Sequence, residues 1–272
     1  MGKKDDFDVF LENFPAFKTK KAILIFVYHF IIFLVIMFAF WHIRQNYWIL
    51  TIPAQFLITL GANVPLIYII KNFDKIREKY LKKYKEYPWQ RLLFHYSYTS
   101  PCGAAALYSP LLLINYDFLP TSIQLPSHFM TNNLFPFYIS IPLGIFVIIF
   151  ALLVDKPAGD HDRDRDLYIY LIYPQQSRTV KEGIYQYVRH PRLIIRYSLS
   201  LGIALIVNNL LAISVSVVHF IPYAIYIYTS DKELLRRFGE EYKSYREKVP
   251  ILIPKYGNWK KFLKMVFLRK KD

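Results

Sequence analysis

The chain has 272 residues, of which 54% are hydrophobic and 18% aromatic, and it carries a formal net charge of +15. Its cations lie between long apolar segments, which predicts an integral membrane protein and argues against a soluble protein that binds nucleic acid. The single cysteine, Cys102, excludes an internal disulfide framework and a zinc site built from several cysteines.

Six apolar segments are candidates for helices that cross a bilayer, which takes about 20 residues. The third is short and is interrupted by Pro110, and the last two are separated only by Asn208 and Asn209. Because asparagine tolerates the left-handed conformation, this pair predicts the turn of a tight helical hairpin. We therefore predict an all-α, polytopic membrane protein with six spans. They are Ala22–Trp41, Trp48–Ile70, Cys102–Phe118, Leu134–Val154, Leu193–Val207 and Leu210–Tyr228.

The distribution of Lys and Arg predicts the orientation of these spans. Five cations precede the first span, eight lie in residues 71–101, seven in residues 155–192 and thirteen after Tyr228. Residues 119–133 and the Asn208–Asn209 turn contain none. By the positive-inside rule, both termini and the two basic loops are expected on the cytoplasmic side.

Three regions follow from this topology. They are a cytoplasmic N-terminal segment (1–21), a four-helix membrane region (22–154) and a membrane region with a cytoplasmic C-terminal helix and basic tail (155–272). Residues 71–91 have the composition of a basic helix that binds anionic lipid. We predict no metal site: DHDRDRD at 160–166 favours a salt-bridged loop, because its arginines compete for the carboxylates.

Candidate binding and catalytic residues concentrate at the two ends of the predicted hairpin. The segment GIYQYVRHP, at 183–191, ends where the fifth span begins, and Asp231 and Glu233 follow the sixth span. A hairpin returns the chain to the face it left, so Arg189 and His190 should lie beside these carboxylates. Such a pair of opposite charges can hold a zwitterionic cosubstrate. Arg196 lies inside the fifth span, where an ionisable residue is costly and usually functional.

The last third of the chain also contains a spaced set of motif residues. They are Gly183, Tyr185, Arg189, His190, Pro191, Gly202, Asn209, Phe238, Gly239, Tyr242, Tyr245, Val249 and Pro250. Together they resemble the membrane methyltransferases that include isoprenylcysteine carboxyl methyltransferase and the phospholipid N-methyltransferases. The first four predicted spans show no such resemblance.

The resemblance implies a methyltransferase that uses S-adenosylmethionine. Its acceptor would be a lipid or a lipidated, for instance prenylated, molecule at the cytoplasmic face. The cosubstrate would be bound by Tyr185, Arg189, His190, Pro191, Gly202, Asn209, Asp231, Tyr242 and Tyr245. Arg189 and Arg196 are the expected anchors of an acidic acceptor or headgroup. Asp231 and Glu233 are the expected bases for an amine acceptor.

Four positions depart from the family pattern. Leu193 and Ile195 replace a tyrosine and a glycine, and Ser230 with Asp231 replaces a pair of glutamates. The larger Ile195 would narrow the cosubstrate pocket. Asp231 keeps the negative charge on a shorter side chain, whereas Ser230 loses it.

Two other functions stay open at this point. Sterol reductases share a related C-terminal plan, and VPILIPKYG at 249–257 is similar to their ending, but RHP lacks their Asn-Tyr continuation. A non-catalytic scaffold that has lost the pocket is the second. Structural roles compete as well: Gly202 suits close helix packing, and 238–245 suits an amphipathic helix on lipid headgroups.

Overall fold

The computed structural model describes residues 21–84, 91–92, 95–96, 99–114, 133–162 and 179–268, and over these residues the protein is all-helical. The helices are α1 (Lys21–Asn46), α2 (Trp48–Gly61), α3 (Val64–Lys71), α4 (Phe73–Lys83), α5 (Thr99–Tyr108), α6 (Phe137–Asp162), α7 (Pro191–Val207), α8 (Leu210–Lys248) and α9 (Trp259–Phe267). Short 3-10 turns lie at Ser109–Leu113, Gly183–Gln186 and Tyr256–Asn258.

Within the described residues, four segments are long and apolar enough to cross a membrane. They are Leu24–Asn46, Ile49–Lys71, Phe137–Ala158 and Leu210–Lys248. The prediction of a polytopic, all-α membrane protein is thus supported, but six spans are not confirmed. The segment at 102–118 begins as α5, turns into a 3-10 helix at Ser109, and passes outside the described residues after Ile114. The 17 residues of α7 measure about 25 Å, less than a hydrocarbon core of about 30 Å.

Helix α8 is longer than the hydrocarbon core of a membrane. Its unbroken part before Gly239, residues 210–238, corresponds to about 44 Å, whereas a hydrocarbon core measures about 30 Å. Asp231 is its first charged residue, so we take Leu210–Tyr228 as its apolar, membrane-spanning part. The remainder, which carries the charged residues, lies beyond the boundary. Gly239 interrupts the helix there, with φ 56° and ψ −131°.

Helix α7 is held between α6 and α8. Its contact with α6 is closest at Gly202, where an added Cβ would lie 2.6 Å from Ile148 Cγ1 and 2.9 Å from the Gly144 carbonyl oxygen. On the other side, Leu193 packs against Tyr223 and Ile227 of α8. These contacts bring the beginning of α7 close to the charged half of α8.

The two asparagines between α7 and α8 make the turn. Asn208 adopts the left-handed conformation (φ 58°), and its side chain bonds to both the N–H and the carbonyl of Phe135. The side chain of Asn209 caps α8 by accepting a hydrogen bond from the N–H of Ala212 at 2.8 Å. Its amide donates to the carbonyl of Leu113 at 2.9 Å. Both residues are therefore fixed by backbone groups of other elements.

Candidate functional site

The segment that carries Arg189 and His190 is anchored to the chain that follows α8. The Arg189 N–H donates to the Pro250 carbonyl at 2.9 Å, and the His190 N–H donates to the Ile251 carbonyl at 3.1 Å. Pro191 then starts α7, where a missing N–H costs nothing. The backbone of this segment is therefore held by its own hydrogen bonds, independently of the side-chain contacts.

Three side chains converge on the carboxylate of Asp231. Arg189 Nη1 donates to Oδ2 at 2.5 Å, and His190 Nε2 lies 2.7 Å from Oδ1. The Tyr242 hydroxyl also donates to Oδ1, at 2.5 Å. All four residues are largely buried and therefore poorly solvated. Their opposite charges and their hydrogen bonds to one another replace the lost contacts with water.

These contacts determine the protonation state of Asp231. Burial alone would raise the pKa of its carboxyl group. Hydrogen bonds from His190 and Tyr242, together with the positive charges of His190 and Arg189, outweigh that effect and lower the pKa to about 2. Asp231 is therefore ionised at neutral pH and is a poor proton acceptor.

Gly239 allows Tyr242 to reach Asp231. In an unbroken helix, residues 11 positions apart are separated by about 16 Å along the axis, which is too far for these side chains to meet. The positive φ of Gly239 redirects the chain and brings the Tyr242 hydroxyl back to the carboxylate. The same segment places the Tyr245 hydroxyl 2.7 Å from the Tyr185 carbonyl, to which it donates.

One buried donor in this cluster has no partner. Arg189 Nε is shielded from solvent and makes no hydrogen bond within the described part of the chain. A buried, unpaired guanidinium N–H is unfavourable by itself and lacks an acceptor among the described residues. It lies beside the ionised Asp231 and near the rings of Tyr242 and Tyr245, whose centroids are 5.9 Å apart.

Two predicted cosubstrate residues lie away from this cluster. Gly202 is about 16 Å along α7 from Pro191, and Asn209 is about 27 Å away. Gly202 accommodates the close approach of α6, and Asn209 caps α8, as described above. The structure therefore gives both residues a packing or capping contact and does not bring them to Asp231.

Two predicted catalytic residues are also separate from the cluster. Glu233 is two positions beyond Asp231 and so points about 160° away around α8. There it accepts hydrogen bonds from Arg236 at 2.8 Å and from Arg237 at 3.3 Å. Arg196 is exposed on α7, about 7.5 Å along the helix from Pro191. Its side chain has no hydrogen-bond or ion-pair partner among the residues that the structure describes.

The positions that depart from the family pattern are filled by apolar packing. Leu193 is buried against α8, and Ile195 is buried in a cluster that includes Ile184 and Val188. Where the family has a tyrosine and a glycine, this protein thus has two core side chains.

Several contacts at the site were not predicted from the sequence. The carbonyls of Pro250 and Ile251 fix the Arg189–His190 segment, and Gly144 is the partner of Gly202. Val249 and Pro250 belong to the motif set, which indicated that this segment matters. The type of a side chain does not reveal which backbone groups bond to each other, so the contact itself could not be predicted. No cluster of three or more metal-ligating side chains occurs in the ranges described above, and most of the DHDRDRD segment lies outside them.

Comparison with known families locates the cluster in a recognisable segment. Residues 139–241 match the model of the phospholipid methyltransferase family, named PEMT. The matched segment begins in α6 and includes Arg189, His190 and Asp231. Comparison with curated proteins and with solved structures found no match. The family match begins inside the predicted fourth span, so it reaches further toward the N-terminus than the motifs indicated. The family inferred from the motifs is thus confirmed, and the match is confined to the C-terminal part of this membrane protein, which is similar to the phospholipid methyltransferases.

Proposed function

We propose that this protein is an S-adenosylmethionine-dependent methyltransferase that acts on a lipid or lipidated acceptor at the cytoplasmic membrane face. The family match and the apolar helices support a membrane methyltransferase. The observation that carries the proposal is the convergence of Arg189, His190 and Tyr242 on Asp231, just beyond the apolar part of α8. A cytosolic cosubstrate and a membrane acceptor can meet at such a place.

The proposed topology has six spans and cytoplasmic termini. In it, α7 and the apolar part of α8 form the last hairpin, and Arg189 and Asp231 lie together at its cytoplasmic end. The contacts between the start of α7 and residue 231 support this arrangement, because both must then be at one membrane face. The excess of Lys and Arg in the flanking segments supports the orientation.

The groups around Asp231 fit an amino-acid cosubstrate with a sulfonium centre. The unpaired Arg189 Nε suits a carboxylate, whereas the oxygens of Asp231 are already occupied by Arg189, His190 and Tyr242. The rings of Tyr185, Tyr242 and Tyr245 suit a sulfonium or an adenine by cation–π contact and stacking. When bound, S-adenosylmethionine supplies an activated methyl group, so the protein has chiefly to position the acceptor and exclude water.

The ionisation and pairing of Asp231 and Glu233 indicate which kind of nucleophile the acceptor carries. An amine acceptor needs a base to take its proton, and Asp231 and Glu233 were the expected candidates. Asp231 is held ionised by three donors, and Glu233 faces away and is bonded to Arg236 and Arg237. We therefore favour an acceptor whose nucleophile is already deprotonated, such as a carboxylate, with the exposed Arg196 attracting its negative charge.

Methyl transfer to a total membrane lipid extract tests this function. The purified protein, reconstituted in nanodiscs, is given S-adenosylmethionine labelled in the methyl group. We expect lipid-soluble label that mild base releases as volatile methanol, as it does from a methyl ester. Arg189→Gln should abolish transfer, whereas Arg246→Gln, which removes an exposed charge elsewhere on α8, should not.

Each other outcome of this assay has a defined meaning. Base-stable label would support a methyltransferase with an amine acceptor and would overturn the carboxylate assignment. No label together with NADPH consumption would point to the reductase. No label and no NADPH consumption, in protein that is shown to be folded, would favour the non-catalytic scaffold.

A further inference from the structure

A second polar cleft lies on the face of α8 opposite Asp231. It has a volume of about 660 Å³, which is within the usual range for a small-ligand site of roughly 300–1,000 Å³. One wall is the junction of α3 and α4, at residues 70–75, and the other is α8. The α8 wall consists of Tyr228, Thr229, Lys232, Glu233 and Arg236. The α3–α4 wall lies outside residues 139–241, so the family match does not account for this cleft.

The two acidic residues of the cleft are already neutralised. Arg236 Nη2 lies 2.9 Å from Asp74 Oδ2 and 2.8 Å from Glu233 Oε1, and so joins α4 to α8. Arg237 Nη2 also contacts Glu233, at 3.3 Å. These acids are therefore not free to bind a cation from outside.

Three lysines of the cleft, in contrast, have no counter-charge. Lys71, Lys75 and Lys232 are exposed, and none makes a hydrogen bond or an ion pair with another described residue. Three ammonium groups that line one concave surface repel one another unless an anion lies between them. The cleft is thus an electropositive cavity whose own carboxylates are already paired.

The cleft also lies at the level of a membrane surface. Lys71 is the last residue of the apolar segment Ile49–Lys71, and Tyr228 ends the apolar part of α8. Lysine and tyrosine at the ends of membrane helices are positioned at the headgroup region. Both walls of the cleft therefore lie at the headgroup region of the membrane.

We propose that this lysine cleft binds a phosphate group that is esterified at most once, carried either by a lipid headgroup or by a soluble phosphate compound. The oxygens of a phosphate can accept hydrogen bonds from several ammonium groups at once. Asn72 lies at the same rim, where its amide donates to the Tyr68 carbonyl at 3.0 Å and has a second N–H. The proposal does not depend on methyl transfer, because the cleft and the Asp231 cluster occupy different faces of α8.

Binding to the full-length protein in a non-ionic detergent tests the proposal. The probes are inorganic phosphate, short-chain phosphatidic acid and short-chain phosphatidylcholine, measured by calorimetry. The cleft variant is Lys71→Gln/Lys75→Gln/Lys232→Gln. The control variant, Lys255→Gln/Lys260→Gln/Lys261→Gln, removes the same charge from exposed lysines elsewhere. Both are first shown to match the unmodified protein in size-exclusion profile and melting temperature, with Lys232→Gln alone replacing the triple variant if it does not fold.

We expect the cleft variant to bind phosphatidic acid at least about tenfold more weakly than the control variant does. If inorganic phosphate also binds more weakly to the cleft variant than to the control variant, a soluble phosphate is sufficient for binding at the cleft. Binding of phosphatidic acid alone would identify the lipid headgroup as the source. Equal binding by the two variants, equal binding of phosphatidylcholine and phosphatidic acid, or no binding of any probe would overturn the proposal.

Discussion

Arg189 and Asp231 are 42 positions apart in the sequence, yet the guanidinium Nη1 of one lies 2.5 Å from the carboxylate of the other. The Asn208–Asn209 turn makes this possible, because it directs α8 back along α7. The pair joins the start of one helix to the charged half of the other. It is also the centre of the proposed active site, so stability and activity should both respond to its loss.

Asp231→Asn should destabilise the protein strongly. The substitution leaves Arg189 buried without an ionised partner, and removal of one member of a buried pair typically costs about 3–5 kcal/mol. The measurement is thermal unfolding in detergent, followed by circular dichroism. The control is Glu240→Gln, which breaks the exposed Lys243–Glu240 pair and should cost less than about 1 kcal/mol. Similar melting temperatures for the two variants would show that the Asp231 cluster contributes little.

Gly239→Ala should disturb the site from a distance. An alanine is strained at φ 56°, and a strained residue typically costs about 1–3 kcal/mol, although no atom lies within 4 Å of the added Cβ. Relief of that strain would turn Tyr242 away from Asp231. Thermal unfolding is again the measurement, with Gly103→Ala as the control. Gly103 is inside α5, also has open space at its Cβ, and should gain about 0.5–1 kcal/mol as alanine. An unchanged melting temperature for Gly239→Ala would mean that the chain does not need this turn.

Arg196→Lys should reduce methyl transfer and leave the protein folded. Lysine can anchor a helix to a lipid phosphate, but it cannot make the bidentate contact that arginine makes with a carboxylate. We expect turnover with total lipid extract to fall about tenfold, which corresponds to about 1.4 kcal/mol of transition-state stabilisation. Arg192→Lys, which lies nearer the water, should have little effect. Equal turnover in the two variants would assign Arg196 to anchoring and move acceptor binding to Arg189.

Labelling should place position 132 on the outside of the membrane. Asn132 lies outside the described residues, in a segment that contains no lysine or arginine, whereas the flanking basic segments are expected inside. A cysteine at position 132, in a protein whose Cys102 is replaced, should react with an impermeant thiol reagent in intact cells. A thiol that reacts only after the cells are permeabilised would contradict the six-span topology.

The sequence was most informative about long apolar segments and about the hairpin ends. Leu134–Val154 was predicted as a span, and Phe137–Ala158 is one of the four candidate spans in the structure. The predicted hairpin placed Arg189 near Asp231 and Glu233, and the structure shows that Asp231 is its partner. Helix α7 is harder to assign, because its 17 residues are fewer than a perpendicular span requires.

The parts that could not be predicted depend on helix rotation and on the backbone. Asp231 and Glu233 look equivalent in the sequence, but two helical positions separate their side chains by about 160°, so only one can face Arg189. The break at Gly239 was not predicted, because a glycine permits a break in a helix without requiring one, although this break determines where Tyr242 lies. The pairing of Gly202 with Gly144 likewise depends on how two helices pack.

Isothermal titration of the detergent-purified protein with S-adenosylmethionine and, separately, with NADPH tests the central claim most directly. The account predicts saturable binding of S-adenosylmethionine that is lost in Arg189→Gln and retained in Arg246→Gln, with no binding of NADPH. Saturable NADPH binding without a response to S-adenosylmethionine, or S-adenosylmethionine binding that is unchanged in Arg189→Gln, would contradict it.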